Sequence, residues 1–311
     1  MIKTAILGIG TVGAGTAEVL TKNKDVIARR AGQEIEVKYI LCRKPRPDHP
    51  FADRIVHDFE VIVGDPEIAV VAECIGGGTG AYEYDKRCLL AGKSVVTSNK
   101  ELVAKHGMEL TAIARDKGVN FLFEGSVGGG IPILRPIVQC LAANEITSVC
   151  GILNGTTNYI LTEMIQCGKT FDQALKEAQE KGYAELDPTA DVEGIDAGRK
   201  ISILADLCFG KNVAPEEVKT VGITAIASAD IEYARILGYK IKLLGRALRT
   251  GPNSVTAFVE PHLISKSNPI ANIDGVMNGI SVKGDAVGET MFFGPGAGAL
   301  PTASSVAADV I

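Results

Sequence analysis

Asp196 and Lys200 stand four residues apart in KGYAELDPTADVEGIDAGRKISILADLCFG, just ahead of a largely apolar run. On a helix that spacing puts both side chains on one face, and a buried helix with charges at its start points them at a cleft. Hydride transfer to a carbonyl makes an alkoxide, and a partly buried lysine flanked by carboxylates is a sound proton donor to it. Glu185, Asp187, Asp191 and Glu193 crowd the same stretch and would suit a cationic amino group on the substrate. A solvated acidic loop before a helix is the alternative reading. A second lysine, Lys100, follows the strand-like SVVTSNKEL, with Ser98 or Asn99 able to cap the next helix. The helix dipole disfavours a cation there, which tilts Lys100 toward binding an anionic group rather than serving as a solvated helix-start residue.

Hydride chemistry calls for a dinucleotide, and the chain opens on its fingerprint. Gly8, Gly10 and Gly13, with Thr11 and Val12 between the last two, form G-x-G-x-x-G after TAILGIG and at the opening of a helix. The first glycine permits the turn, the second lets a pyrophosphate approach the backbone, and the third lets helix and strand pack closely. At the end of the second strand an acidic residue bonds a ribose 2′-hydroxyl, whereas a basic one receives a 2′-phosphate. Here YILCRKPRP puts Arg43 and Lys44 at that place, so NADP is expected, with NAD still possible and solvated surface basics the plain alternative. Gly76 and Gly77, in the run Cys74 to Thr79 after AVVAE, suit backbone passage beside the cofactor.

The elements that must hold these residues follow βαβ grammar over the first 125 residues or so: TAILGIG, a helix through GTAEVLTK, then EIEVKYILC, AVVAECIG, SVVTSNK and NFLFEG. Such a chain winds a parallel sheet with its ligand outside the carboxyl ends of the strands. From the glycine-rich GSVGGGIP the texture changes to a helix over ILRPIVQCLAAN, a strand over EITSVCGIL and a helix-rich stretch to about Leu237. Strand-like segments then run from Tyr239 to Phe293. The fold class expected is therefore α/β, a doubly wound Rossmann sheet joined to an α+β substrate and dimerisation domain with an open sheet. The boundaries fall at 1–130 and 131–299, with a last helix over 300–311 packing back on the first domain.

Bulk numbers agree with two folded domains: 311 residues, 46% hydrophobic, with 35 glycines for tight strand-to-helix turns. A net charge of -5 offers no general attraction for nucleic acid. The opening apolar run is too short for a signal peptide and no run of 18 apolar residues follows, so a cytoplasmic location and no membrane partner are expected. The seven cysteines lack a C-x-x-C pair and sit in apolar segments, which reads as reduced core thiols rather than a thioester-forming nucleophile. With four scattered histidines, a zinc or iron site is not expected. Another two-domain oxidoreductase, or a cofactor-sensing protein without chemistry, are the rival readings.

Taken together, GIGTVGAG, TSNKELVAKHG, FLFEGSVGGGIPI, LNGTTNYI, KGYAELDPTADVEGIDAGRK and GPGAGALPTASSVAAD resemble the homoserine dehydrogenase family, in order and nearly from end to end. The resemblance implies an NAD(P)-dependent oxidoreductase acting on a CH–OH group. Its reaction is the reversible reduction of L-aspartate 4-semialdehyde to L-homoserine, in the aspartate pathway to threonine, methionine and isoleucine. By matching positions it implies Lys200 as proton donor, Lys100 as a second active-site lysine beside cofactor and substrate, and Glu185 and Asp196 as holders of homoserine's amino and hydroxyl ends. Thr156 and Tyr183 would line that pocket, and Gly182 and Gly298 would contact the cofactor. The family also binds a monovalent cation, usually sodium, which places Glu124, Val127, Gly129 and Ile131 as its ligands, largely through carbonyls. A homodimer is implied as well. Many members continue into a C-terminal regulatory domain beyond PTASSVAAD; none is expected within these residues, nor an allosteric inhibitor site.

Overall fold

The computed structural model describes residues 1–77 and 79–311, so Gly78 of the glycine run after β4 lies outside the described residues. Two compact units emerge, Met1–Gly130 with Gly298–Ile311, and Ile131–Ala297.

In the first unit the elements run β1 (Ile2–Leu7), α1 (Thr11–Lys22), α2 (Lys24–Ala31), β2 (Ile35–Leu41), β3 (Ile55–Val56), α3 (Glu60–Val63), β4 (Ile68–Glu73), α4 (Thr79–Leu90), β5 (Ser94–Thr97), α5 (Lys100–Lys117) and β6 (Phe121–Leu122). The sheet order is β3-β2-β1-β4-β5-β6 and every pairing is parallel. Chain direction across the sheet reverses between β1 and β4, the switch point where doubly wound sheets bind dinucleotides. Thr4, Ala5, Ile6 and Leu7 of β1 are all buried, as a central strand covered on both faces must be. Ile6, Leu20, Ile40 and Val96 share one core with Val306 and Val310 of the closing helix.

In the second unit a short helical stretch ending in a π-turn at Pro136–Cys140 precedes β7 (Ile146–Ile152), α6 (Gly155–Cys167), α7 (Phe171–Glu180), α8 (Thr189–Val192), α9 (Ile195–Phe209), β8 (Lys219–Thr220), α10 (Ser228–Ile236), β9 (Tyr239–Gly251), β10 (Ser254–Ser265), β11 (Met277–Gly284) and β12 (Gly288–Pro295); α11 (Ala299–Val310) closes the chain on the first unit. The mixed sheet runs β12-β11-β7-β9-β10-β8, antiparallel except for β10 with β8. Helix α9 lies so close on this sheet that a Cβ at Gly245 of β9 would sit 3.2 Å from Ile201 Cβ. That contact buries Ile201, Ile203, Leu204 and Ala205 and fixes the helix that carries Asp196 and Lys200.

Several local expectations need correction. The helix over ILRPIVQCLAAN stops at Cys140, where Leu141 N–H reaches back to the Pro136 carbonyl at 2.9 Å and closes a wider turn than an α-helix makes. Strands β3 and β8 are two residues each, too short for alternation to register. The cysteines are not uniformly core residues: Cys88 is buried, but Cys140 and Cys167 are exposed. Both close helical segments on the solvent side, where an apolar neighbourhood in sequence says nothing about facing.

Candidate active site

The first unit's share is a cavity of about 430 Å³ at the carboxyl ends of β1, β2 and β4, floored by Gly8, Gly10 and Gly76. Gly8 takes φ +99°, and a Cβ on Gly13 would lie 2.0 Å from the Gly8 carbonyl oxygen, so the strand-to-helix turn closes only with glycine at both positions. Nothing lies within 4 Å of where a Gly10 Cβ would be. Helix α1 starts there without a side-chain cap, which leaves its first N–H groups for an anion, and Thr11 and Val12 form its first turn.

Arg43, Arg46 and His57 line this cavity, with no Asp or Glu among the described lining residues. Lys44 is exposed and lies outside the lining. His57 Nδ1 donates to the Cys42 carbonyl at 2.6 Å, since a carbonyl can only accept. Arg46 and His57 escaped the sequence reading because YILCRKPRP points no further than its first basic pair; their presence depends on the chain returning through β3 beside β2. Cys74 also lines the cavity, yet burial, then the nearby Glu73 carboxylate, raise its thiol far above the usual range. Burial pushes Cys88 and Cys208 up to about 12 and Cys150 to about 11, so none of the four is a ready thiolate.

Lys100 opens α5, behind Asn99, whose Oδ1 accepts the Leu102 N–H at 3.2 Å and whose Nδ2 donates to the Gly77 carbonyl at 2.7 Å. Gly298, at φ +124°, precedes α11. Glu124 is buried, with its N–H donating to Asp309 Oδ2 at 2.7 Å. Val127 is buried beside it in sequence, and Gly128 and Gly129 turn the chain at φ +75° and +57°. The Gly129 carbonyl accepts the Ser305 hydroxyl at 2.6 Å, which uses one of its two lone pairs.

In the second unit the i,i+4 pair forms as the spacing implies. Lys200 Nζ donates to Asp196 Oδ2 at 2.6 Å and to the Leu153 carbonyl at 2.8 Å, with both side chains buried. Desolvating two charges is expensive, and an apolar pair would usually serve stability as well, so stability alone does not account for this pair. Asp196 sits in the first turn of α9, where the helix dipole favours an anion.

Asn154, which sequence reasoning passed over, organises this corner. Its Nδ2 donates to Asp196 Oδ2 at 3.0 Å and to Asp191 Oδ1 at 2.7 Å, while its Oδ1 caps α6 by accepting the Thr157 N–H at 2.9 Å. An Asn between a strand and the helical GTTNYI is an N-cap signal, and that would have found it. The next residues bring Thr156 to Tyr183, whose carbonyl accepts the Thr156 hydroxyl at 2.7 Å, and Tyr183 meets Tyr159 edge-on at 5.1 Å. Gly182 turns the chain there at φ +75°. Glu185 is exposed on the same α7–α8 loop. The rest of the acidic stretch divides. Asp187 accepts the Thr189 N–H and hydroxyl, which hold its carboxyl below the usual range, and Glu193 accepts the Thr224 hydroxyl.

Comparison with known proteins agrees with this division. Residues 8–124 match the family described as homoserine dehydrogenase, NAD binding domain, and residues 132–311 the family described as homoserine dehydrogenase. The homoserine dehydrogenase of Pseudomonas aeruginosa is 50% identical over 311 residues, covering 100% of this chain and 71% of the relative. The crystal structure of a homoserine dehydrogenase from Thiobacillus denitrificans superposes with a TM-score of 0.95 at 48% identity, over 99% of this chain and 72% of that one. A hyperthermophilic archaeal homoserine dehydrogenase in complex with NADPH superposes with a TM-score of 0.83 at 27% identity, over 99% of this chain and 96% of that one. With a dinucleotide-binding sheet, a second unit of mixed sheet and both family matches in register, the chain belongs to the homoserine dehydrogenase family of NAD(P)-dependent oxidoreductases.

Proposed function

We propose that the chain interconverts L-aspartate 4-semialdehyde and L-homoserine with NADP(H) as the preferred cofactor and Lys200 as the proton donor. The observation that carries the reading is the buried Lys200–Asp196 pair braced by Asn154. The nicotinamide, when bound, supplies or accepts the hydride. Lys200 Nζ gives a proton to the oxygen of the forming alcohol and takes it back in the oxidative direction. Asp196 accepts from Lys200 Nζ and aims it, and Asn154 fixes the Asp196 oxygen that faces Lys200. Glu185 and Asp196 hold the amino and hydroxyl ends of homoserine, Thr156 and Tyr183 line the substrate's pocket, and Lys100 neutralises negative charge beside cofactor and substrate.

For the cofactor, Gly8, Gly10, Thr11, Val12 and Gly13 present backbone to the pyrophosphate, and Gly76, Gly77, Gly182 and Gly298 make further contacts. The choice of NADP rests on Arg43 in the cavity wall, next in sequence to the exposed Lys44, and on Arg46 and His57 in the same lining, where NAD enzymes place a carboxylate. A buried acid next to a glycine turn fits a hard monovalent cation. Glu124, Val127, Gly129 and Ile131 would hold sodium there mainly through carbonyls, and the ion would stiffen that turn. We assign cofactor binding to residues 1–130 with the closing helix, and substrate binding and homodimerisation to 131–299. The sheet edges of the second unit are where pairing would occur. Among the described residues no helix is long and apolar enough to cross a membrane, in keeping with a cytoplasmic enzyme.

The test is homoserine oxidation followed at the absorbance of the reduced cofactor, with NADP and then NAD, with and without sodium. The reading expects turnover with both and a higher kcat/KM for NADP. Absence of turnover with either would end it.

A further inference from the structure

One buried carboxylate ties together two pieces of the first unit that the proposed chemistry needs in register. Glu73 ends β4 and is wholly buried. Its Oε1 accepts the N–H groups of Ile75 at 2.5 Å and Gly76 at 3.2 Å. Its Oε2 accepts the Thr97 hydroxyl at 2.7 Å, and that hydroxyl oxygen in turn accepts the Asn99 N–H at 2.9 Å. Asn99 closes the circuit by donating from Nδ2 to the Gly77 carbonyl and by capping α5, whose first residue is Lys100. The loop after β4 and the start of the lysine helix are thus held together by Glu73 through Thr97 and by the Asn99 side chain.

An acid is an expensive choice for the end of a central parallel strand that otherwise reads IAVVA. An apolar residue there would pack the sheet but could not accept from two backbone N–H groups and a hydroxyl at once. A second buried acid, Asp85 on α4, has no hydrogen-bond partner for either oxygen among the described residues. Burial, and then the charge of Glu73, raise its carboxyl well above the usual range.

We propose that Glu73 is a positioning residue: through Thr97 and Asn99 it sets the Ile75–Gly77 loop and the Lys100 end of α5 as one piece, so that cofactor and lysine are aligned together. This rests on the reading of Gly76, Gly77 and Lys100 as cofactor contacts. Glu73 touches neither substrate nor cofactor in this role and acts through its neighbours.

The test compares Glu73→Ala, Thr97→Val and Lys100→Ala by kcat, KM for NADPH and circular dichroism. Glu73→Ala frees the loop, and KM for NADPH should rise about tenfold, the scale of losing one charge-assisted hydrogen bond. Thr97→Val keeps both loop bonds to Glu73 and removes the hydroxyl through which Glu73 Oε2 reaches the Asn99 N–H. It should therefore lower kcat about tenfold while KM for NADPH stays within about twofold. A folded Glu73→Ala with parental KM, or Thr97→Val with parental kcat, overturns the proposal. If Glu73→Ala does not fold, the Thr97→Val result alone decides. Loss of turnover in Lys100→Ala beside a parental Thr97→Val overturns the positioning role only, whereas parental turnover in Lys100→Ala overturns the reading of Lys100 on which it rests.

Discussion

Removing the two halves of the Lys200–Asp196 pair should not cost the same, and the structure says which costs more. Lys200→Met leaves Asp196 in the first turn of α9, still accepting from Asn154 Nδ2 at 3.0 Å and favoured by the helix dipole. Asp196→Ala leaves a buried ammonium with the Leu153 carbonyl at 2.8 Å, near the positive end of the same helix. Breaking a buried pair typically costs about 3–5 kcal/mol because a charge is left uncompensated. The full figure applies to Asp196→Ala, while the compensation left to Asp196 brings Lys200→Met down to about 1–3 kcal/mol. Replacing both residues together, Asp196→Leu with Lys200→Met, removes the charges altogether and should return stability to within about 1 kcal/mol of the parent. Urea unfolding of the four proteins followed by far-ultraviolet circular dichroism measures the order, and the double variant should be inactive despite its stability. If Lys200→Met proved the less stable single variant, or if the double variant were less stable than both, the electrostatic account of this corner would be wrong.

Other outcomes follow from the same structure. Burial pushes the Asp206 carboxyl up to about 6, against the lowering effect of the Val213 N–H, so the folded state holds that proton more tightly than the unfolded chain does. Its contribution is best below the ordinary carboxylate range, is lost as pH rises to about 6 and stays lost above. After allowing for solvent screening, Asp206→Asn should gain about 1–2 kcal/mol at pH 8 and little at pH 4, readable as a pH-dependent difference in Tm. Gly13→Ala drives a methyl into the Gly8 carbonyl at 2.0 Å and should cost folding as well as NADPH binding, while Gly10→Ala, whose methyl meets no atom of the chain but enters the cofactor cavity, should fold normally and weaken NADPH binding measured by fluorescence titration. Arg43→Ala should raise KM for NADP about tenfold and leave KM for NAD nearly unchanged, a loss of about 1.4 kcal/mol confined to the phosphorylated cofactor. Equal effects on both cofactors would remove Arg43 from 2′-phosphate recognition.

Much of this molecule could be read from periodicity and glycine placement. In the parallel sheet β4 and β5 are near-continuous apolar runs with turn residues after them, and Gly8 and Gly13 are needed by a clash that depends on backbone alone. The Lys200–Asp196 pair was legible for a similar reason, since i,i+4 spacing on one helix is local information. Asn154, Arg46 and His57 were not. Each acquires its place only when elements separated in sequence come side by side: Asn154, after β7, meets Asp196 at the start of α9, and β3 returns along β2. Composition failed in the same way for the acidic stretch. Five carboxylates look alike in sequence, but Asp187 is spent on a turn and Glu193 on Thr224, while Asp191 and Asp196 meet at Asn154. The cysteines teach the converse, because apolar neighbours in sequence did not keep Cys140 and Cys167 inside.

The proton-donor role of Lys200 is the centre of the account, and Lys200→Ala tests it most directly when turnover and cofactor affinity are measured on the same preparation. The account expects kcat for homoserine oxidation to fall by about 10² or more, with the Kd for NADPH within about threefold of the parent. Parental kcat in a folded Lys200→Ala protein, or a loss explained entirely by weaker NADPH binding, would contradict it.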